Sequence, residues 1–89
     1  MKIKDGFMLR DVGGKTFVVA VGETSKKFKG IITLNETGKL IWQSLALGEE
    51  SDKITDKILS EYDCVDRITV EKDIESFIEK LRKDGILSE

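Results

Sequence analysis

The sequence contains no histidine, no proline and a single cysteine, and each scarcity removes a class of chemistry. Without histidine the chain lacks the commonest acid–base group near neutral pH and the commonest metal ligand. Cys64 has no second cysteine for an intrachain disulfide, no spaced partners for a metal site and no histidine to activate it, so it reads as a filler thiol. No apolar run approaches the roughly 20 residues that cross a bilayer. No charged-then-apolar leader with a small-residue cleavage site opens the sequence, so the expectation is a cytoplasmic protein without membrane attachment. Paired acids such as Glu49-Glu50 fall in a polar turn with no apolar surroundings to separate their pKa values. With no phosphate loop and no nucleophile–base pair either, the reading is of a protein that is not an enzyme and carries no cofactor or metal.

What is present fits one domain over residues 1–89, with 36% charged and 39% apolar residues. A chain of this size buries about two-thirds of its unfolded surface and needs a compact core. Residues 1–34 hold seven Lys or Arg against three acids, a net +4, while residues 35–89 hold eight against fourteen, a net −6. The front third is basic and the back is acidic.

Strand signals lead and helix signals follow, which predicts an α+β fold. Strands are expected at about 7–12, 16–21 and 28–34, with Gly13-Gly14 as a tight hairpin turn and Gly22–Lys27 as a polar loop. On the third strand Phe28, Gly30, Ile32 and Leu34 share one face, and Lys29, Ile31 and Thr33 the other. The apolar run Ile31–Leu34 stops at Asn35, an N-cap whose side chain can accept a backbone N–H of the first helical turn. Glu36 then places negative charge at the positive end of the helix dipole.

Helices are expected at about 36–47, 52–62 and 70–84. The first buries Leu40, Ile41 and Leu45, with Trp42 beside that stripe, and ends at Gly48. Ser51 caps the second, which repeats Ile54, Ile58, Leu59 and Tyr62 at helical spacing. Thr69 caps the third, whose face is Val70, Ile74, Phe77, Ile78 and Leu81. Gly85 sits where a left-handed residue ends it, and Ile86 and Leu87 can fold back onto the core.

In this order and spacing the chain resembles the PqqD family, the RiPP-recognition elements that serve ribosomally made, post-translationally modified peptides. The residues that carry the resemblance are Leu34-Asn35-Glu36-Thr37-Gly38, Ile41-Trp42, Leu45 and Gly48, then Ile54, Ile58, Leu59 and Glu61-Tyr62-Asp63. The last block is Lys72-Asp73-Ile74, Phe77, Leu81 and Asp84-Gly85-Ile86-Leu87. The resemblance implies a winged-helix-like fold of three N-terminal antiparallel strands followed by three helices. It also implies that the leader region of a precursor peptide adds as a strand to the edge of the third strand, in a groove against the third helix. A family member does no chemistry itself and delivers the peptide to a modifying enzyme, in the namesake case a radical SAM protein. With no residues left over for a fused catalytic domain, a free-standing member is expected.

Strand addition has a physical basis in the unpaired N–H and C=O groups of an edge strand, which an extended peptide satisfies. The candidate edge is Phe28, Lys29, Gly30, Ile31, Ile32 and Thr33, and Gly30 permits close backbone approach. Ile31 either lines a peptide pocket or belongs to a second buried face against the third helix. Lys26, Lys27 and Lys29 either guard the edge against aggregation or attract acidic residues of a leader. The third helix has two flanks, one with Asp73, Lys80 and Asp84, the other with Glu71, Glu75 and Arg82. The side bearing Asp73, Phe77 and Lys80 is taken as the peptide side.

A DNA-binding winged helix is the rival reading, and it needs basic residues on the recognition helix and wing. The second and third helices alternate acids with Lys and Arg and form no basic surface, so no nucleic-acid partner is expected. The same exposed edge could also pair two copies or swap a hairpin between them, so monomer and homodimer both remain open.

Overall fold

The computed structural model describes residues 2–28, 30–62 and 65–88. Lys29 and Cys64, singled out above, lie outside the described residues, as does Asp63. The elements are β1 (Lys2–Ile3), β2 (Phe7–Val12), β3 (Lys15–Ala20), α1 (Thr24–Lys27), β4 (Ile32–Leu34), α2 (Glu36–Ala46), α3 (Ser51–Glu61), α4 (Arg67–Lys83) and β5 (Leu87–Ser88). The fold is α+β and winged-helix-like, with antiparallel strands ahead of the three long helices.

Gly13 and Gly14 both take positive φ, 58° and 81°, which a two-residue hairpin turn of matching twist demands. β2 and β3 therefore pair directly, from Phe7↔Ala20 to Val12↔Lys15. β4 adds to the other side of β3 through Thr16↔Leu34, Phe17↔Thr33 and Val18↔Ile32, giving the order β2-β3-β4. A separate two-stranded ladder joins the chain ends, with Ile3 opposite Leu87.

The expected third strand is half realised. Residues 32–34 form the ladder, while the segment before it departs from the reading in two ways. The expected polar loop contains the short helix α1, whose last turn carries Lys26 and Lys27 at the favourable end of its dipole. Phe28 then acts as the C-cap of α1, donating its N–H to Thr24 O at 2.9 Å. Its ring meets Phe7 edge-on at 5.3 Å, which holds the segment to the core instead of to the sheet. Gly30 offers no side chain to pack on the pleated surface, and the ladder begins only after it.

Helix boundaries follow their local chemistry. The Asn35 side chain accepts the Gly38 N–H at 2.7 Å, as its position predicts. At the end of α2, Gly48 N–H reaches Leu45 O and Glu49 N–H reaches Ser44 O, the paired bonds of a Schellman motif around left-handed Gly48. α4 closes identically, with Gly85 N–H to Arg82 O and Ile86 N–H to Leu81 O. That closure turns the chain inward, and Ile86 and Leu87 are buried in the core. Two expected caps are corrected. Ser51 is the first residue of α3, after Glu50. α4 begins a turn early at Arg67, and the Thr69 hydroxyl donates to the Asp66 carboxylate instead of capping.

The inner sheet face packs on the helices. Val18 and Leu34 join Ile41, Trp42 and Leu45 of α2, Ile54 and Ile58 of α3, and Val70, Ile74, Ile78 and Leu81 of α4 in one core. Trp42 lies inside that core at 4% exposure, not beside the stripe, because Phe7 of β2 reaches it at 6.5 Å. Leu40 and Phe77 pack at its margin. Burying each large apolar side chain contributes about 1.5–3 kcal/mol.

Candidate functional site

The three-stranded sheet has two borders, because β2 and β4 each pair only with β3 among the described residues. The direction of the main-chain groups at each border follows from the hairpin. A two-residue turn closes on a hydrogen-bonded pair, here Val12↔Lys15, and bonded pairs then alternate along the ladder. The bond from Val21 N–H to Gly6 O, 2.8 Å, continues that alternation at the far end. Odd-numbered residues of β3 thus bond to β2, and Thr16 and Val18 bond to β4. Their partners Leu34 and Ile32 are therefore satisfied within the sheet. Thr33, opposite Phe17, turns both its N–H and its C=O outward, and beyond the ladder neither is bonded among the described residues.

A cavity of about 180 Å³ adjoins this border. Ile32, Thr33 and Leu34 form one wall, Phe77, Lys80 and Leu81 of α4 the other, and Asn35 and Gly38 close the end. The geometry is set locally: the Asn35 cap turns the chain from β4 into α2, and α4 crosses beside the strand. At Gly38 a side chain would crowd the Asn35 cap. A Cβ there would stand 3.2 Å from the Asn35 side-chain oxygen and 3.5 Å from Leu34. The Lys80 ammonium makes no ion pair among the described residues and is the cation of the cavity.

Four of the residues singled out from sequence therefore meet at one place: Ile32, Thr33, Phe77 and Lys80. Ile31 is 67% exposed just before β4, so it is not part of a second buried face. Gly30 is exposed beside it. Phe28 lines a separate hollow of about 260 Å³ with Phe7, Lys27 and Gly85. Asp73 is exposed on α4 one turn before Phe77 and does not line the cavity. The opposite flank of α4, with Glu75, Glu79 and Arg82, faces Ser51 at the start of α3. Leu34, Asn35, Gly38 and Leu81 also line the cavity, although the sequence reads as giving Leu34 and Leu81 core faces, Asn35 a cap and Gly38 only a place in the family-like block. For two of the four the signal was adjacency, since Leu34 ends the edge strand and Asn35 directly follows it.

A larger hollow of about 560 Å³ lies under the hairpin tip, between Asp11, Lys15, Thr16 and Lys39. Three of its polar side chains are bonded together through Asp11. The Asp11 carboxylate accepts the Thr16 hydroxyl at 2.6 Å and pairs with Lys39 at 3.2 Å. The Thr16 hydrogen bond, aided by Lys39, holds the Asp11 carboxyl below its ordinary range. Glu49 is likewise held low, mainly by its hydrogen bond from Lys57, with Lys53 and Ser44 helping. That cluster ties the α2–α3 turn to α3 and touches no border of the sheet. No group of three or more metal-ligating side chains converges among the described residues. No helix among them is long and apolar enough to cross a membrane.

The family model of coenzyme PQQ synthesis protein D (PqqD) matches residues 8–87. Among solved structures, the chain is similar to TbiB1 in complex with the TbiA(beta) leader peptide. The two share 30% identity and a TM-score of 0.79, covering 99% of this chain and 95% of that one. It is also similar in fold to a lasso peptide synthetase B1 complexed with the leader peptide. There identity is 22% and the TM-score 0.75, covering 96% of this chain and 93% of that one. No curated protein sequence matches.

Proposed function

The chain belongs to the PqqD family, and we propose that it binds the leader region of a ribosomally synthesised precursor peptide by strand addition and presents it to a modifying enzyme, such as a radical SAM protein. The observation that carries this reading is the outward main-chain pair of Thr33 beside the cavity between β4 and α4. A guest strand on that border satisfies the free N–H and C=O, giving affinity that tolerates sequence. Its alternate side chains enter the cavity against Phe77 and Leu81, giving register. Lys80 at the cavity favours an acidic residue on the guest. Ile31 and Gly30 extend the border, and Lys26 and Lys27 add positive charge near its start. Similarity to a structure that holds a leader peptide supports the same choice of ligand.

In this reading the chain is a cytoplasmic, non-catalytic carrier. Its helices alternate acidic and basic residues, as in Asp52, Lys53, Asp56 and Lys57 of α3, and offer no surface for DNA phosphates. The test is calorimetric titration with synthetic leaders of short precursor genes beside this one. Affinity of about 1 μM or tighter is expected, on the order of −8 kcal/mol from a short augmented strand with a few anchors. Absence of binding by every neighbouring leader at 100-fold higher concentration, roughly 100 μM, overturns the reading.

A further inference from the structure

The sheet has a second face that the helices leave open. Register and alternation place Met8, Arg10 and Val12 of β2 and Phe17 and Val19 of β3 on it, away from the core. Thr33 and, by continued alternation, Val21 and Ile31 join them. Met8, Val12, Val21 and Ile31 are four of the seven exposed large hydrophobics among the described residues, at 42%, 64%, 36% and 67% exposure. Phe17 and Val19 are half-buried, yet neither packs into the core cluster. The charges on this face are Arg10 and Lys15, and neither has an ion-pair partner among the described residues. The acid nearest in sequence, Asp11, points the other way and is bound to Thr16 and Lys39.

An apolar patch with cations unpaired and acids absent among the described residues is a docking surface for a partner of complementary charge. We propose that it docks the modifying enzyme, through an enzyme surface with an apolar centre and acidic residues around it. The proposal rests on the peptide-presentation reading. A second copy of this chain fits less well. A two-fold contact would oppose Arg10 and Lys15 to their own copies, and a contact with the acidic helices of another copy would be head-to-tail and would not close. The face is also continuous with the peptide border. A guest strand on β4 extends the sheet and sets every second side chain beside Ile31 and Thr33 on this same side. The enzyme then touches carrier and peptide together, and prefers the loaded carrier to the empty one.

The test uses the full chain, the leader peptide of the neighbouring precursor gene, and the purified modifying holoenzyme encoded with it. Leader affinity is read by fluorescence anisotropy and enzyme affinity by interferometry, with and without leader. The double variant Arg10→Glu, Val12→Glu should keep leader affinity within about twofold and lose enzyme affinity by about tenfold or more. The milder pair Met8→Gln, Val12→Thr serves if the first melts early, and should show the same split with a smaller loss. Enzyme affinity unchanged in a natively folded variant overturns the proposal. So does a wild-type chain that binds leader but no enzyme, or one whose dimerisation, read by sedimentation, is lost in the variant. A wild-type chain that binds no leader overturns the presentation reading instead.

Discussion

Thr33 stands opposite Phe17 in the ladder yet gives its N–H and C=O to neither Phe17 nor any other described residue. Its neighbours Ile32 and Leu34 spend theirs on Val18 and Thr16. The alternation of one ladder thus divides a three-residue strand into two positions that hold the sheet and one that offers it to a guest.

Proline substitution separates these roles. In Thr33→Pro the lost donor faces outward, a placement edge strands tolerate, so the fold should persist. Leader affinity should fall by about tenfold, near 1.4 kcal/mol, from one lost bond and the crowding of the ring. In Ile32→Pro the lost donor is an internal one, and thermal stability should fall by about 3 kcal/mol. Melting curves beside calorimetric titrations distinguish the two.

The cavity wall is tested at Phe77 and Lys80. Phe77 sits at the core margin, so Phe77→Ala should weaken leader binding while costing less stability than the roughly 3–5 kcal/mol of a fully buried aromatic. Lys80→Glu should leave melting unchanged, slow association with an acidic leader and flatten its salt dependence, as stopped-flow rates at two ionic strengths will show.

Much of the fold was legible in the sequence. The Asn35 cap, the glycine hairpin turn and the two glycine helix ends each rest on a local bond or a positive φ that one or two residues dictate. The start of the edge strand was not legible. Alternation from Phe28 to Leu34 looks uninterrupted, but Phe28 serves the aromatic cluster with Phe7, a contact between residues far apart in sequence. Of the site, Phe77 and Lys80 could be placed beside the strand through the family resemblance. Asp73, taken on the same basis, and Phe28, taken from the strand alternation, lie apart from the cavity. The outward phase of Thr33 needed the hairpin register, which no single segment contains.

Acid should unfold the protein partly through Glu49. Its carboxyl is held below the ordinary value of 4.5 by Lys57, Lys53 and Ser44, so the fold favours the ionised form. The stability this adds is complete above that ordinary value and is lost as pH falls through the lower folded one. Melting temperature should therefore drop below about pH 4.5, and Glu49→Gln should melt lower at neutral pH with a flatter acid slope.

Gly6 is a further point of failure. It takes φ of 98°, and a Cβ there would lie 1.9 Å from the Thr24 hydroxyl oxygen. Gly6→Ala should destabilise the protein by about 1–3 kcal/mol, measured by denaturant unfolding, and should loosen α1.

Amide hydrogen exchange with and without leader reads the peptide border directly. Without peptide, the Ile32 and Leu34 amides should be slow and the Thr33 amide fast. With saturating leader, protection should appear at Thr33 and extend to Ile31, leaving the outward amides of β2 at Phe7, Leu9 and Asp11 as they were. Protection gained on β2 instead, or none gained at Thr33 under saturation, contradicts strand addition at β4.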